Sequence, residues 1–289
     1  MNPPPYRGPQ ESKNPLVRQV LLASLIALPV IALIGFAVAH AIVAQRKAAQ
    51  SRAAWKNVAA SANQMRSDFK KDFDPKTGIT NVDFEKLDKL KENLKNASAN
   101  STGDQAVFAN ALTGFMDRMQ SAAKNYHNAA TKLREARVLY NFDSSNKGIF
   151  ADRREIVHQF LDANGALENV ITNAEDQIRA NLADAHVRQS KIDSLMAGYH
   201  ASSGYQTSIT MNIRQCDDKY GADLLDVFDT LETNWGHWDA DPNVDKIRFK
   251  DNATLQAYNK DLADIKAVGQ EQLRLQGLLV NQSTPQPVN

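Results

Sequence analysis

The chain has 289 residues, with 34 Lys+Arg against 33 Asp+Glu and a formal net charge of +1, so it lacks the basic excess that marks a nucleic-acid-binding protein. A single cysteine, Cys216, excludes an intrachain disulfide, and with no Cys or His partner at ligand spacing it is not a zinc ligand. The length allows one sizeable helical core, whose stability has to come from packing.

Residues 1–18 form a short Pro-rich tail, after which no Asp, Glu, Lys or Arg occurs from Gln19 to Gln45. About 20 apolar residues suffice to cross a bilayer at ~1.5 Å rise each. Pro29 and Gly35 lie inside the stretch, but both residue types are tolerated in spans, where freed backbone groups find other partners. A transmembrane anchor is therefore expected over 19–45. A cleaved signal peptide competes with it, although the apolar core of such a peptide runs only about 7–15 residues. No cysteine near the end of the run offers a lipid attachment point.

The flanks of the span give nearly balanced instructions on orientation. Arg7, Lys13 and Arg18 precede it, while Arg46, Lys47, Arg52 and Lys56 follow it with no acid before Asp68. Basic residues favour the cytoplasmic side, and the second group also suits anionic lipid headgroups on either side. The expectation adopted is a single-pass protein of bacterial inner-membrane type, with a cytoplasmic tail and an extracytoplasmic body.

Behind the anchor the pattern is all-α: an elongated up-and-down helical bundle over 46–280 with coiled-coil-like packing, more than about 70% helix, and a disordered tail over 281–289. Between Pro75 and Pro242 there is no proline, the residue that most reliably ends a helix. Clusters of Gly, Ser, Asn and Asp at 72–80, 96–104, 141–148, 198–205 and 234–244 divide the region into six helical segments. The first continues from the anchor to Asp72. The second is short, from about Asn81 to Lys95.

In the third segment Phe108, Leu112, Phe115, Met119, Ala122, Tyr126, Ala129, Leu133, Ala136 and Tyr140 alternate at spacings of four and three. This 3.5-residue repeat predicts knobs-into-holes packing, within the chain or against another copy. The fourth carries Ile156, Phe160, Ala163, Leu167, Val170 and Ala174, then drifts through Ile178, Leu182 and Ala185 to Ile192 and Leu195, with a bend or break near 181–185. Ile209, Ile213, Cys216, Tyr220, Leu224, Val227, Leu231 and Trp235 make the stripe of the fifth, which places Cys216 as a small buried residue. The last runs from about Ala253 to Val280. No period-two strand pattern is evident.

The chemistry-bearing motifs are sparse. Glu155-x-x-His158 has the carboxylate and imidazole spacing of di-iron bundles, but that site needs a second such pair, which the chain lacks; His158 is expected at the surface. His127, His186 and His200 have no matching ligand spacing. Phosphate-binding glycine loops, a serine nucleophile elbow and a Cys/His pair are missing. The run 86–95 and the Arg153/Arg154 pair read as solvated helix faces.

The densest cluster is Trp235, His237, Trp238, Asp239 and Asp241. Exposed aromatics there would suit a partner or ligand, and oxygen ligands at alternating positions a cation. In the competing account Trp235 ends a core stripe and Trp238 caps the bundle. The expected function is protein contact without catalysis, metal or cofactor: a scaffold or accessory subunit of a membrane or envelope complex, its partners the bilayer and another protein or a second copy meeting the seam. A ligand-binding or sensory bundle with a site near Trp235–Asp241 is the alternative, and a metal enzyme assembled from scattered His and carboxylates the third.

Overall fold

A computed structural model describes residues 49–76, 78–79, 83–140, 142–241 and 246–282. The anchor expected over 19–45, the flanking Arg46 and Lys47, and residues 283–289 of the expected tail lie outside them. Among the described residues no helix is long and apolar enough to cross a membrane.

The protein is mostly helical, at 82%. Helix α1 (Ala49–Asp72) leads through a small hairpin, β1 (Phe73–Asp74) and β2 (Gly78–Ile79), to α2 (Phe84–Ala99) and α3 (Asp104–Glu135). Then come α4 (Ile149–Thr172), α5 (Ala174–Asp184), the long α6 (Gln189–Thr233), a second hairpin of β3 (Trp238–Asp241) and β4 (Lys246–Phe249), and α7 (Asn252–Gln282). Neighbours in sequence pack against each other, and α4 and α5 fill the space between α3 and α6.

Several boundaries follow local chemistry. Asp83 caps α2 by accepting from the backbone N–H groups of Glu85 and Lys86. Arg137 follows α3 with φ at 47°, a left-handed turn that ends the helix after Glu135. The stripe of α3 is buried from Phe108 to Leu133 within the chain except at Ala129, which is half-buried, so the seam is filled by the chain's own helices. Ala136 is exposed and Tyr140 lies beyond the helix, which shortens the expected repeat.

Three expectations need correction. Residues 198–205 do not break the chain, since α6 is continuous from Gln189 to Thr233. Two glycines weaken a helix by about 1 kcal/mol each, but Leu195 and Ile209, both buried, are two heptads apart, so the apolar stripe stays in phase across the weak stretch. The fourth segment is two helices, interrupted at Asn173, whose side-chain amide and backbone N–H both donate to the Asn169 carbonyl. The turn to α6 falls at 185–188, with His186 at φ 60°, and Ile192 and Leu195 belong to α6.

The third correction is the presence of strands. In the second hairpin Trp238 pairs with Phe249, Asp239 with Arg248, Ala240 with Ile247 and Asp241 with Lys246. The alternation is real but only four residues long, too short to stand out against helical patterns on both sides.

Two ends of the bundle can be defined from these contacts. At the end where α1 begins, the buried Ser51 hydroxyl meets Ser101 Oγ at 2.9 Å, and Trp55 Nε1 donates to the same oxygen. The Arg179–Asp193 ion pair and the contact of His200 Nε2 with Glu175 at 2.7 Å hold α5 along the start of α6. At the other end α7 lies along the later half of α6, where Thr230 Oγ1 donates to Asp261. The middle of the molecule is where α7 ends against the first hairpin: a Cβ on Gly277 would meet the Phe73 ring at 3.3 Å.

Candidate functional site

The cluster singled out in the sequence forms the far end of the bundle. Trp238 is buried, its Nε1 donating to the Leu231 carbonyl at 2.7 Å. Its ring stands edge-on to Trp235, at 5.3 Å between centroids, and to Phe142 and Phe150. Trp235 is half-buried against Phe150. An indole that fills a core and spends its N–H on a helix carbonyl is a cap, and this aromatic nest closes α4 against α6.

The polar members of the cluster form a rim. His237 is exposed with Nδ1 3.4 Å from Asp251. Asp239 is exposed and 3.5 Å from Lys250 Nζ, which also donates to the Gly236 carbonyl. Asp251 accepts from the backbone N–H and hydroxyl of Thr254, which together with His237 lower its pKa. Of Asp241 only the backbone pairing is described. Of the oxygens expected at alternating positions, that of Asp239 is thus engaged with Lys250. Among the described residues no group of three or more His, Cys, Asp or Glu side chains is placed to hold a metal ion.

A second constellation lies at mid-height and was not expected. Arg214 and Asp217 of α6 are each 1% exposed and pair at 3.0 Å through Arg214 Nη2 and Asp217 Oδ2. Tyr126 of α3 donates its hydroxyl to Asp217 Oδ2 at 2.9 Å, and Gln272 of α7 donates to Oδ1 at 2.7 Å. The guanidinium lies over the Tyr126 ring and donates from Nη1 to Asn164 Oδ1 of α4 at 3.1 Å. Asn164 Nδ2 in turn donates to the Arg214 carbonyl and to Asp218. Four helices therefore meet in one cluster, in which Arg214 Nε has no hydrogen-bond partner.

Burial dominates the electrostatics of this cluster. It pushes the Asp217 carboxyl above the usual carboxylate range, opposed by Arg214 and by the two donors. The Tyr126 phenol is driven up by burial and by the Asp217 charge beside it. Next to it Cys216 is half-buried instead of fully buried as expected, and desolvation raises its thiol to about 11, well away from a reactive thiolate.

The remaining motif residues are scattered. His158 is exposed, as expected, and Glu155 accepts from Gln159. His127 sits edge-on to Phe84, apart from His186 in the turn before α6 and from His200 on Glu175. Arg153 is not solvated: it is buried and donates to the Val138 and Tyr140 carbonyls beyond the end of α3. Arg154 is half-buried between Asp229 and Glu232 of α6. In the 86–95 run Lys91 is likewise engaged, with Gln120 and Asp117 of α3.

The chain matches no protein-family model, and no curated protein or solved structure matches it.

Proposed function

We propose that the chain is a membrane-anchored helical bundle that acts by contact with other proteins, as a scaffold or accessory subunit of an envelope complex, without catalysis of its own. The supporting observation is the charge-free run from Gln19 to Gln45 just ahead of α1, whose first turns carry Arg52 and Lys56 exposed and no carboxylate. Basic side chains at that place suit a surface of anionic headgroups. The body is proposed to lie outside the cytoplasmic membrane, with residues 1–18 inside.

Expressed full-length, the protein is expected to stay with membranes through an alkaline wash, and a variant lacking 19–45 to leave them. Added protease should degrade the bundle in spheroplasts and spare residues 1–18. Photo-crosslinking from exposed bundle positions in native membranes should then yield one defined protein adduct. Release of the full-length chain by the wash would reject the anchor. Saturable turnover of a substrate by the purified full-length protein would reject the non-catalytic reading.

A ligand at the far end is the second reading, favoured only by the exposure of His237 and Asp239. It requires a saturable rise in melting temperature with a small molecule that disappears on His237→Ala or Asp239→Ala.

A further inference from the structure

We infer that the Arg214–Asp217 pair, together with Tyr126, Asn164 and Gln272, is a register clamp, which holds α3, α4, α6 and α7 in a single axial alignment at the expense of stability. The inference concerns the inside of the bundle and stands whether or not the chain is anchored.

Two buried charges lose their hydration, and their mutual attraction seldom recovers it in full. Here the loss is compounded, because Arg214 Nε is buried without a partner. Apolar side chains would fill the same place at mid-height of the core, with Ile213, Tyr220 and Leu224 buried close by on α6. As a source of stability alone, the pair is a poor choice.

What the pair supplies is direction. Beside its seam α3 buries Ala109, Ala111, Ala123 and Ala130, and such small side chains discriminate weakly between neighbouring registers. Apolar burial has no preferred orientation, whereas a hydrogen bond weakens within a few tenths of an ångström. Sliding any one helix by a turn, about 5.4 Å, would leave a buried charge or amide unpartnered. Each helix contributes a different group: a phenol from α3, an amide from α4, the ion pair from α6 and a second amide from α7.

The test uses the full-length chain in detergent with Cys216→Ser, spin-labelled at Ala222 and Lys266, which are exposed on α6 and α7. Arg214→Met and Asp217→Leu are made singly and together, with Arg214→Leu/Asp217→Met as a second charge-free pair, and both pairs also carry Tyr126→Phe, Asn164→Leu and Gln272→Leu so that no buried hydroxyl or amide is left without a partner. Each single variant should lose about 1 M or more in urea midpoint, because a lone buried charge remains. The charge-free pairs should regain or exceed the parent midpoint, while the one narrow distance of the parent broadens or splits by about one helical turn. A single narrow distance in both charge-free pairs overturns the clamp. So does failure of both pairs to reach the parent's stability, since the cluster would then be a stabilising element.

Discussion

Gly221 of α6 lies against Leu161 of α4 so closely that a Cβ at that position would come within 2.5 Å of Leu161 Cδ2 and 2.8 Å of Cγ. The missing side chain lets the two helices approach, just one turn from the Arg214–Asp217 cluster. Gly221→Ala should therefore destabilise the protein by about 1–3 kcal/mol through overpacking. In a Leu161→Ala background the same change should become stabilising by up to about 1 kcal/mol, since only the helix preference of alanine remains. A double-mutant cycle in urea reads the reversal of sign, and an equal effect in both backgrounds would show that the contact does not matter.

Tyr126→Phe removes one of the donors to a fully buried carboxylate and leaves the ring in place. A loss of about 1–3 kcal/mol is expected in chemical denaturation, with the helical circular dichroism of the native state unchanged. A variant as stable as the parent would mean that Asp217 is satisfied without the phenol.

Arg153 and Arg154 are adjacent in sequence and should behave differently. Arg153→Ala strands the buried Val138 carbonyl and the partly buried Tyr140 carbonyl and is expected to cost about 2–3 kcal/mol. Arg154→Ala removes a partly exposed bridge to Asp229 and Glu232, for which about 1 kcal/mol or less is expected. Equal losses in a side-by-side urea titration would contradict the assignment.

Cys216 should show its burial in its chemistry. With its thiol raised from 9.0 to about 11, the native protein at pH 8 holds about 100-fold less thiolate than the unfolded chain, so alkylation by iodoacetamide should be slower by a similar factor. The rate should climb toward an inflection near 11 when native and near 9 in denaturant. Linkage gives the matching stability trend: the folded-state pKa is the higher one, so the contribution is intact below 9 and disappears as pH rises through 11. A native inflection near 9 would show that the thiol is fully solvated.

The helices could be read from the sequence because their apolar spacing is regular, and the stripes of α3 and of the later part of α6 were found nearly residue by residue. Composition misled at 198–205, where glycine and serine signalled a loop but the helix passes through because Leu195 and Ile209 keep it in phase on the core. The strands of the second hairpin were missed because four residues, as in Lys246–Phe249, are too few for a period to register. Burial of Arg214 and Asp217 was invisible for a different reason. Their positions border the stripe of Ile213, Cys216 and Tyr220, where a charged residue ordinarily turns toward water, and only the arrival of Tyr126, Asn164 and Gln272 from other helices makes the interior habitable for them. The aromatic content at Trp235 and Trp238 was plain in the sequence, but its inward direction depends on Leu231 and on Phe142 and Phe150 from across the fold.

The unbroken course of α6 has a mechanical consequence. Its 45 residues span roughly 68 Å at 1.5 Å per residue, whereas the chain opposite, α4 and α5, is jointed at Asn173. A rod faced by a jointed partner carries load along its axis and yields sideways on one flank only. A pull at the second hairpin would thus reach the start of α6 with little loss of length, and the bundle would respond to it as a strut that flexes toward α5.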